Sequence, residues 1–224
     1  MLNYAVDPAV LAPLVPRGVE LDLWQDGAVV SMVGFLFRNT RMLGCAVPFH
    51  RDFEEVNLRF YVRRRVGTEW RRGVTFVREI VPRRAIAWTA RALYNEPYLA
   101  LPMRHTHGVT DDARTFEYAW QFERKWHALG AEVEGEPHAL RPGSEEEFIF
   151  EHYWGYTAQR DRGTVEYEVE HPRWRTWTAK KSWLRGDTVP LYGSAFSKAL
   201  AAEPRSAFVA EGSPVVVRGA QRIA

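Results

Sequence analysis

The sequence predicts an α+β protein made mainly of antiparallel β-structure, in one domain spanning residues 1–224. Three observations carry that expectation. Segments with period-two alternation outnumber segments with helical spacing. The helical segments are not interleaved regularly with strands, as a parallel sheet requires. No repeat, low-complexity tract or Gly/Ser linker divides the 224 residues.

The elements follow in order. Pro8 to Leu14 reads as a short helix or turn opened by Pro8 and broken by Pro16-Arg17-Gly18. Val19, Leu21 and Leu23 alternate with polar neighbours, and Asp26-Gly27 is a hairpin signal before the Val- and Phe-rich run Ala28 to Phe37. Arg38 to Phe49 lacks period two and reads as a loop. Val56, Leu58, Phe60 and Val62 then take one strand phase, while Glu55, Asn57, Arg59 and Tyr61 take the other. In a strand, successive members of that second set stand about 6.6 Å apart on one face.

Gly67 marks a turn into a strand from Trp70 to Val81. Pro82 opens a helix whose Ile86, Ala90 and Leu93 share a stripe. Further strands are expected at Tyr98 to His105, Arg114 to Phe122 and Trp126 to Val133. Ser144 with Glu147 forms a capping box for a helix through about His152. Strands at 164–170, 174–184, 207–211 and 215–218 complete the chain, with a helix over 192–201.

Hydrophobic residues make up 46% of the chain and aromatics 13%, which excludes global disorder. The single cysteine, Cys45, excludes an internal disulfide and a cysteine-cluster metal site. No run of 18 apolar residues and no basic-then-apolar leader occurs, so a cytoplasmic protein without a membrane span is expected. Charge is segregated: ten arginines against two glutamates over 59–91, and fifteen acidic against six basic residues over 111–170. Mutual compensation within the chain or across a homo-oligomer explains this, as does an anionic ligand. Nucleic acid is disfavoured by the lack of a binding signature.

GxGxxG, a Walker loop, HExxH and GxSxG are all missing, so neither a cofactor nor a metal is expected. His105 and His107 form an HxH pair whose plain reading is a solvated strand end. Glu151-His152-Tyr153 brings base and carboxylate together, but adjacent residues do not face one way. Lys180-Lys181 would suit a Schiff base if desolvated, yet a strand points the two to opposite faces. His171, restricted by Pro172 and followed by Trp174, is a candidate at a strand mouth.

Glu55-Val56-Asn57-Leu58-Arg59-Phe60-Tyr61-Val62 resembles the YqjF-like (DUF2071) family. Leu14-Val15-Pro16 with Val19 to Asp22, the Val30 to Arg38 strand, Tyr94 to Arg104 and Val169 to Trp174 resemble it in the same order. That family is similar in fold to acetoacetate decarboxylase, which implies curved sheets around a central cavity with peripheral helices. The decarboxylases carry their reactive lysine in a Pro-Lys-Lys stretch after a helix. The matching stretch here is Asn95-Glu96-Pro97-Tyr98-Leu99, and neither Tyr98 nor Leu99 forms an iminium with a ketone.

The expected function is binding of a small molecule, with or without catalysis on a small carboxylate or carbonyl compound. Asn57, Arg59 and Tyr61 are its expected contacts and Glu55 and His171 its expected proton-transfer groups. The alternative is a non-enzymatic interaction or regulatory protein that self-associates.

Overall fold

The strand expected around Val56 is longer than its alternation required: Phe53–Val66 runs fourteen residues and pairs with Ala28–Phe37 on one side and Glu69–Val81 on the other. The computed structural model describes residues 1–42, 45–46, 51–93, 95–110 and 112–224. Gly44 and Pro48 of the expected 38–49 loop fall outside them, as do the Ala90 and Leu93 side chains of the predicted helical stripe, and within that expected loop Arg41–Met42 pairs antiparallel with Cys45–Ala46.

Among the described residues one sheet has twelve strands. Its main path runs His138–Ala139, Arg175–Thr178, Ser206–Ala210, Leu2–Val6, Ala28–Phe37, Phe53–Val66, Glu69–Val81, Trp154–Ala158, Thr164–Glu170 and Val216–Arg222. Glu20–Leu21 pairs with Phe53–Val66, and Tyr98–Ala100 with Glu69–Val81. A second sheet orders Lys181–Arg185, Lys125–Glu134, Ala113–Phe122 and Met103–Val109. Pairing is antiparallel except where Glu69–Val81 meets Trp154–Ala158 and Tyr98–Ala100. Helices Pro8–Leu11, Arg84–Leu93, Glu145–Phe150 and Val189–Leu200 accompany the sheets.

Phe53–Val66 is buried on both faces. Val56, Leu58, Phe60 and Val62 lie in an apolar cluster with Met32, Ile80, Trp120, Leu129 and Tyr192, which joins the two sheets. On the opposite face Tyr61 packs with Val74, Phe148, Ile149 and Phe208. Full burial of a side chain such as Phe60 contributes about 2–3 kcal/mol. Burial of both faces also means that a polar residue in either phase needs a partner inside the protein.

The helix Glu145–Phe150 supplies much of the second cluster. Ser144 caps it by accepting from the Glu147 amide (3.2 Å), as the sequence predicts. The Glu147 carboxylate accepts from the Gly143 amide (2.8 Å), one residue before the partner a capping box uses. The helix ends at Phe150, and His152 lies beyond it.

Several boundaries differ from the sequence reading. The turn before Ala28 centres on Gln25-Asp26, both with positive φ (49° and 64°), and Trp24 and Gly27 close it with paired backbone bonds of 2.9 Å. The 174–184 alternation is two strands in two sheets: the Ala179 amide binds Ala207 of the large sheet and the next amide, Lys180, binds Glu132 of the small one. Alternation continues through such a crossing, so periodicity hides it. Tyr98–Ala100 and Met103–Val109 separate at Pro102, which has no amide to donate. Trp154–Ala158 is a strand the sequence reading did not place.

Candidate functional site

The odd-numbered face of Phe53–Val66 carries two linked polar groups. At its N-terminal end Glu55 and Asn57 are each only 2% exposed. Asn57 Nδ2 donates to Glu55 Oε1 (2.9 Å), and the Tyr98 hydroxyl donates to Glu55 Oε2 (3.1 Å). Asn57 lies directly across the ladder from Glu79, itself 2% exposed. Tyr98 lies beside Glu79 through the parallel pairing of Tyr98–Ala100. The charge of Glu96, a third buried carboxyl with 6% exposure, acts on Glu79. Glu96 Oε1 accepts in turn from Thr157 and from the Tyr167 hydroxyl (2.9 Å). Three glutamates and two phenols thus lie in one buried cluster.

Burial makes ionisation of these carboxyls costly. It pushes Glu55 up to about 7: Asn57 and Tyr98 counter it by donating to the carboxylate, Glu96 adds repulsion, and Arg59 opposes. Burial likewise lifts Glu96 to about 7 against hydrogen bonds from Thr157 and Tyr167. Glu79 lies well above the usual carboxylate range through burial and the charges of Glu96 and Glu55. Environments that separate like groups assign acid and base: Glu79 is the neutral donor, Glu55 the group nearer ionisation.

Two acceptors remain: Asn57 Oδ1 and Glu79 Oε2 are buried without hydrogen-bond partners. Arg59 Nε, two residues along the same face, is a buried donor without a partner. The rest of Arg59 donates weakly to the Ile149 carbonyl (Nη2, 3.4 Å) and lies 5.7 Å over the Tyr61 ring. Buried polar atoms of this kind cost free energy unless something binds them.

Tyr61 plays a different part. Ser31 gives its only hydroxyl proton to Asn3 Oδ1 (2.6 Å), so Tyr61 donates to Ser31 Oγ (2.6 Å) and its phenol is spent in the core. His171 does not join the group around Glu55. Its Nδ1 lies 2.9 Å from the Pro172 carbonyl, and its ring stacks on Trp174 (4.1 Å) and near Tyr153 (4.8 Å). The proline that restricts His171 also turns it onto its neighbours. Of the two expected proton-transfer groups, the structure sets Glu55 with Glu79 and Glu96 and His171 with Pro172, Trp174 and Tyr153.

His152 faces inward, as its neighbours face out. Its Nε2 lies 3.3 Å from Asp22 Oδ2, which also accepts from Arg72 (2.6 Å), while Glu151 accepts from Tyr153 (2.8 Å). Burial brings the His152 imidazole down to about 4 despite Asp22. Lys180 and Lys181 pair with Glu134 (2.5 Å) and Glu132 (2.8 Å) on the exposed surface. His105 lies 2.7 Å from Glu54, and His107 Nε2 lies 3.1 Å from the Tyr118 hydroxyl. Among the described residues no group of three or more His, Cys, Asp or Glu is arranged to hold a metal ion. No helix among them is long and apolar enough to cross a membrane.

Charge compensation within the chain is partly explicit. Arg64 and Arg71 of the basic run both bind Glu166 of the acidic run, whose side chain is fully buried. Other members of the acidic run pair with Arg173, Lys180, Lys181, Arg185 and Arg205. Two surface concavities, of about 250 Å³ beside Arg63, Arg65 and Trp70 and about 210 Å³ beside Tyr4, Trp183 and Leu200, are lined by none of the predicted site residues.

Glu79, Glu96, Tyr98 and Tyr167 were not among the residues the sequence singled out as a site. Their one signal was position: Glu79 sits within the apolar end of a strand, and Glu96-Pro97-Tyr98 fills the stretch where similarity implied a lysine.

The chain is 27% identical over 173 residues to the uncharacterized protein YqjF of Bacillus subtilis (strain 168), covering 77% of this chain and 69% of that one. Its fold is similar to acetoacetate decarboxylase from Legionella pneumophila (strain Philadelphia 1), with 14% identity, a TM-score of 0.55 and coverage of 82% and 68% of the two chains. It is also similar to the enduracididine biosynthesis enzyme MppR complexed with pyruvate, at 14% identity, a TM-score of 0.59 and 99% and 80% coverage. Residues 1–214 match the family model DUF2071, described as an uncharacterized conserved protein (COG2071), and the chain belongs to that family.

Proposed function

We propose that the protein binds a small molecule bearing a carbonyl or carboxylate beside Glu55, Asn57 and Arg59, and moves a proton on it without a lysine iminium. The observation that carries this reading is the buried carboxyl network with Asn57 Oδ1, Glu79 Oε2 and Arg59 Nε unpartnered on the same face. Arg59 receives an oxygen of the ligand, as charge-assisted hydrogen bonding favours. Ionised Glu55 takes a proton from the carbon next to the carbonyl, breaking C–H and forming O–H. Neutral Glu79 gives its proton to the carbonyl oxygen, and an enol results. Return of both protons restores the ligand. A Glu55 carboxyl near 7 suits the first transfer at neutral pH, and burial, which holds Glu79 well above the usual carboxylate range, keeps it neutral for the second. The resemblance implies that Tyr98 and Leu99 occupy the stretch that carries the reactive lysine in the decarboxylases. The pyruvate held by the similarly folded MppR supports 2-oxo acids as the first probes.

The test is exchange of the methyl protons of pyruvate for deuterium in heavy water, followed by NMR. Exchange that Glu55→Gln and Arg59→Ala each reduce by about 100-fold or more supports the reading, on the scale of general acid–base catalysis. Absence of exchange together with absence of pyruvate and acetoacetate binding overturns it. Covalent trapping of pyruvate by borohydride would overturn the claim that no iminium forms.

The alternative, a self-associating interaction protein, rests on the exposed edge strand Val216–Arg222, where Val216 and Val217 are 50% and 60% exposed. Sedimentation of the full chain at low and physiological salt tests it: a concentration-dependent dimer supports it, and a monomer under both conditions removes it.

A further inference from the structure

The other face of the same strand pair carries a second set of unpartnered groups. Opposite Leu58 the ladder shifts register: Leu58 pairs with Arg78 and Arg59 with Phe76, leaving Val77 as the extra residue. Such bulges re-aim side chains. Arg78 is partly exposed, its Nε is buried without a partner, and it has no ion pair among the described residues. Its register partner Leu58 belongs to the apolar cluster that also holds Trp120 and Tyr192. Trp120 is fully buried and Tyr192 is 7% exposed, yet Trp120 Nε1 and the Tyr192 hydroxyl both lack hydrogen-bond partners. Tyr192 belongs to Val189–Leu200, the helix that packs on Glu69–Val81, and the Arg78 charge acts on its phenol.

All three groups are hydrogen-bond donors: a guanidinium, an indole and a phenol. Trp120 and Tyr192 share the apolar cluster of Leu58 and Ile80, and Arg78 is registered against Leu58, so the three donors complement a single carboxylate on an apolar tail. We propose that Arg78, Trp120 and Tyr192 form a binding site for a small aliphatic monocarboxylate, separate from the glutamate network on the opposite face. A planar carboxylate takes the Arg78 fork, Tyr192 and Trp120 donate to its remaining lone pairs, and its tail meets the core cluster. Arg78, partly exposed, gives the approach from solvent.

The experiment titrates butyrate, which has no carbonyl for the proton-transfer site to act on, into the full chain. The readout is the indole N–H resonance of Trp120, identified by its loss in Trp120→Phe. The expected result is a saturable shift of that resonance, with Arg78→Gln weakening binding about tenfold or more. Tyr192→Phe has a smaller effect, and Arg59→Ala has none. An unmoved Trp120 indole in the unaltered protein overturns the proposal, so the result does not depend on any variant folding. Equal loss of butyrate binding in Arg59→Ala places butyrate on the glutamate face and also overturns it. A larger shift with inorganic phosphate than with butyrate overturns the assigned ligand class. Failure of pyruvate exchange leaves each of these outcomes unchanged.

Discussion

Replacing Glu55 by Gln separates the effect of one buried carboxyl from everything else that titrates. Unfolded, this carboxyl loses its proton near 4.5; folded, it does so near 7. Between those values the folded state binds more protons, so the stability its neutral form allows is complete below about 4.5 and declines as pH rises through about 7. That difference is worth about 3 kcal/mol, with no allowance for solvent screening because Glu55 is 2% exposed. His152 has the opposite sign: its imidazole, lowered from 6.5 to about 4, costs stability as pH falls from 6.5 toward 4. The two effects oppose one another between about 4.5 and 6.5, so the native curve alone is uninformative there. The difference between Glu55→Gln and the unaltered protein removes the His152 contribution. Urea unfolding at a series of pH values gives that difference. The variant matches the native protein near pH 4.5 and becomes the more stable of the two by about 3 kcal/mol near pH 8. A difference that stays flat from pH 4.5 to 8 would refute the placement of Glu55 among uncompensated buried carboxyls.

Other expectations follow from particular contacts. Glu166 is wholly buried and binds Arg64 (3.0 Å), Gln221 (2.9 Å) and Arg71; burial alone would raise its carboxyl, but these hydrogen bonds bring it below the usual range. Glu166→Ala should therefore lower stability by about 3–5 kcal/mol at neutral pH, and the loss should shrink as acid protonates the native carboxylate. A Cβ at Gly155 would overlap the Tyr167 ring, so Gly155→Ala displaces a Glu96 partner. It should cost about 1–3 kcal/mol in thermal unfolding and reduce pyruvate exchange as well. Ser144→Ala removes the cap of Glu145–Phe150 and should cost about 1 kcal/mol by the same assay while leaving pyruvate binding intact.

The fold was legible where it depends on local pattern. The alternation around Val56 located Phe53–Val66 and grouped Glu55, Asn57, Arg59 and Tyr61 on one side, because side-chain direction in a strand is fixed by parity. Ser144 announced its helix because capping is a contact between near neighbours. The crossing at Ala179–Lys180 was hidden because a strand that changes sheets keeps its alternation. The carboxyl network was hidden for a different reason. Glu55, Glu79, Glu96 and Tyr167 come from four segments, brought together by ladder register and a parallel pairing that no local window contains. His171 illustrates the converse: the neighbours that marked it in the sequence, Pro172 and Trp174, are the groups its ring contacts.

The central claim is that a ligand meets carboxyls that share protons at neutral pH. Calorimetric titration of pyruvate at pH 7, in two buffers of different ionisation enthalpy, measures the protons taken up or released on binding. The account predicts buffer-dependent heats that report proton exchange and lose most of that dependence in Glu55→Gln. Identical heats in both buffers, or proton exchange undiminished in the variant, would contradict it.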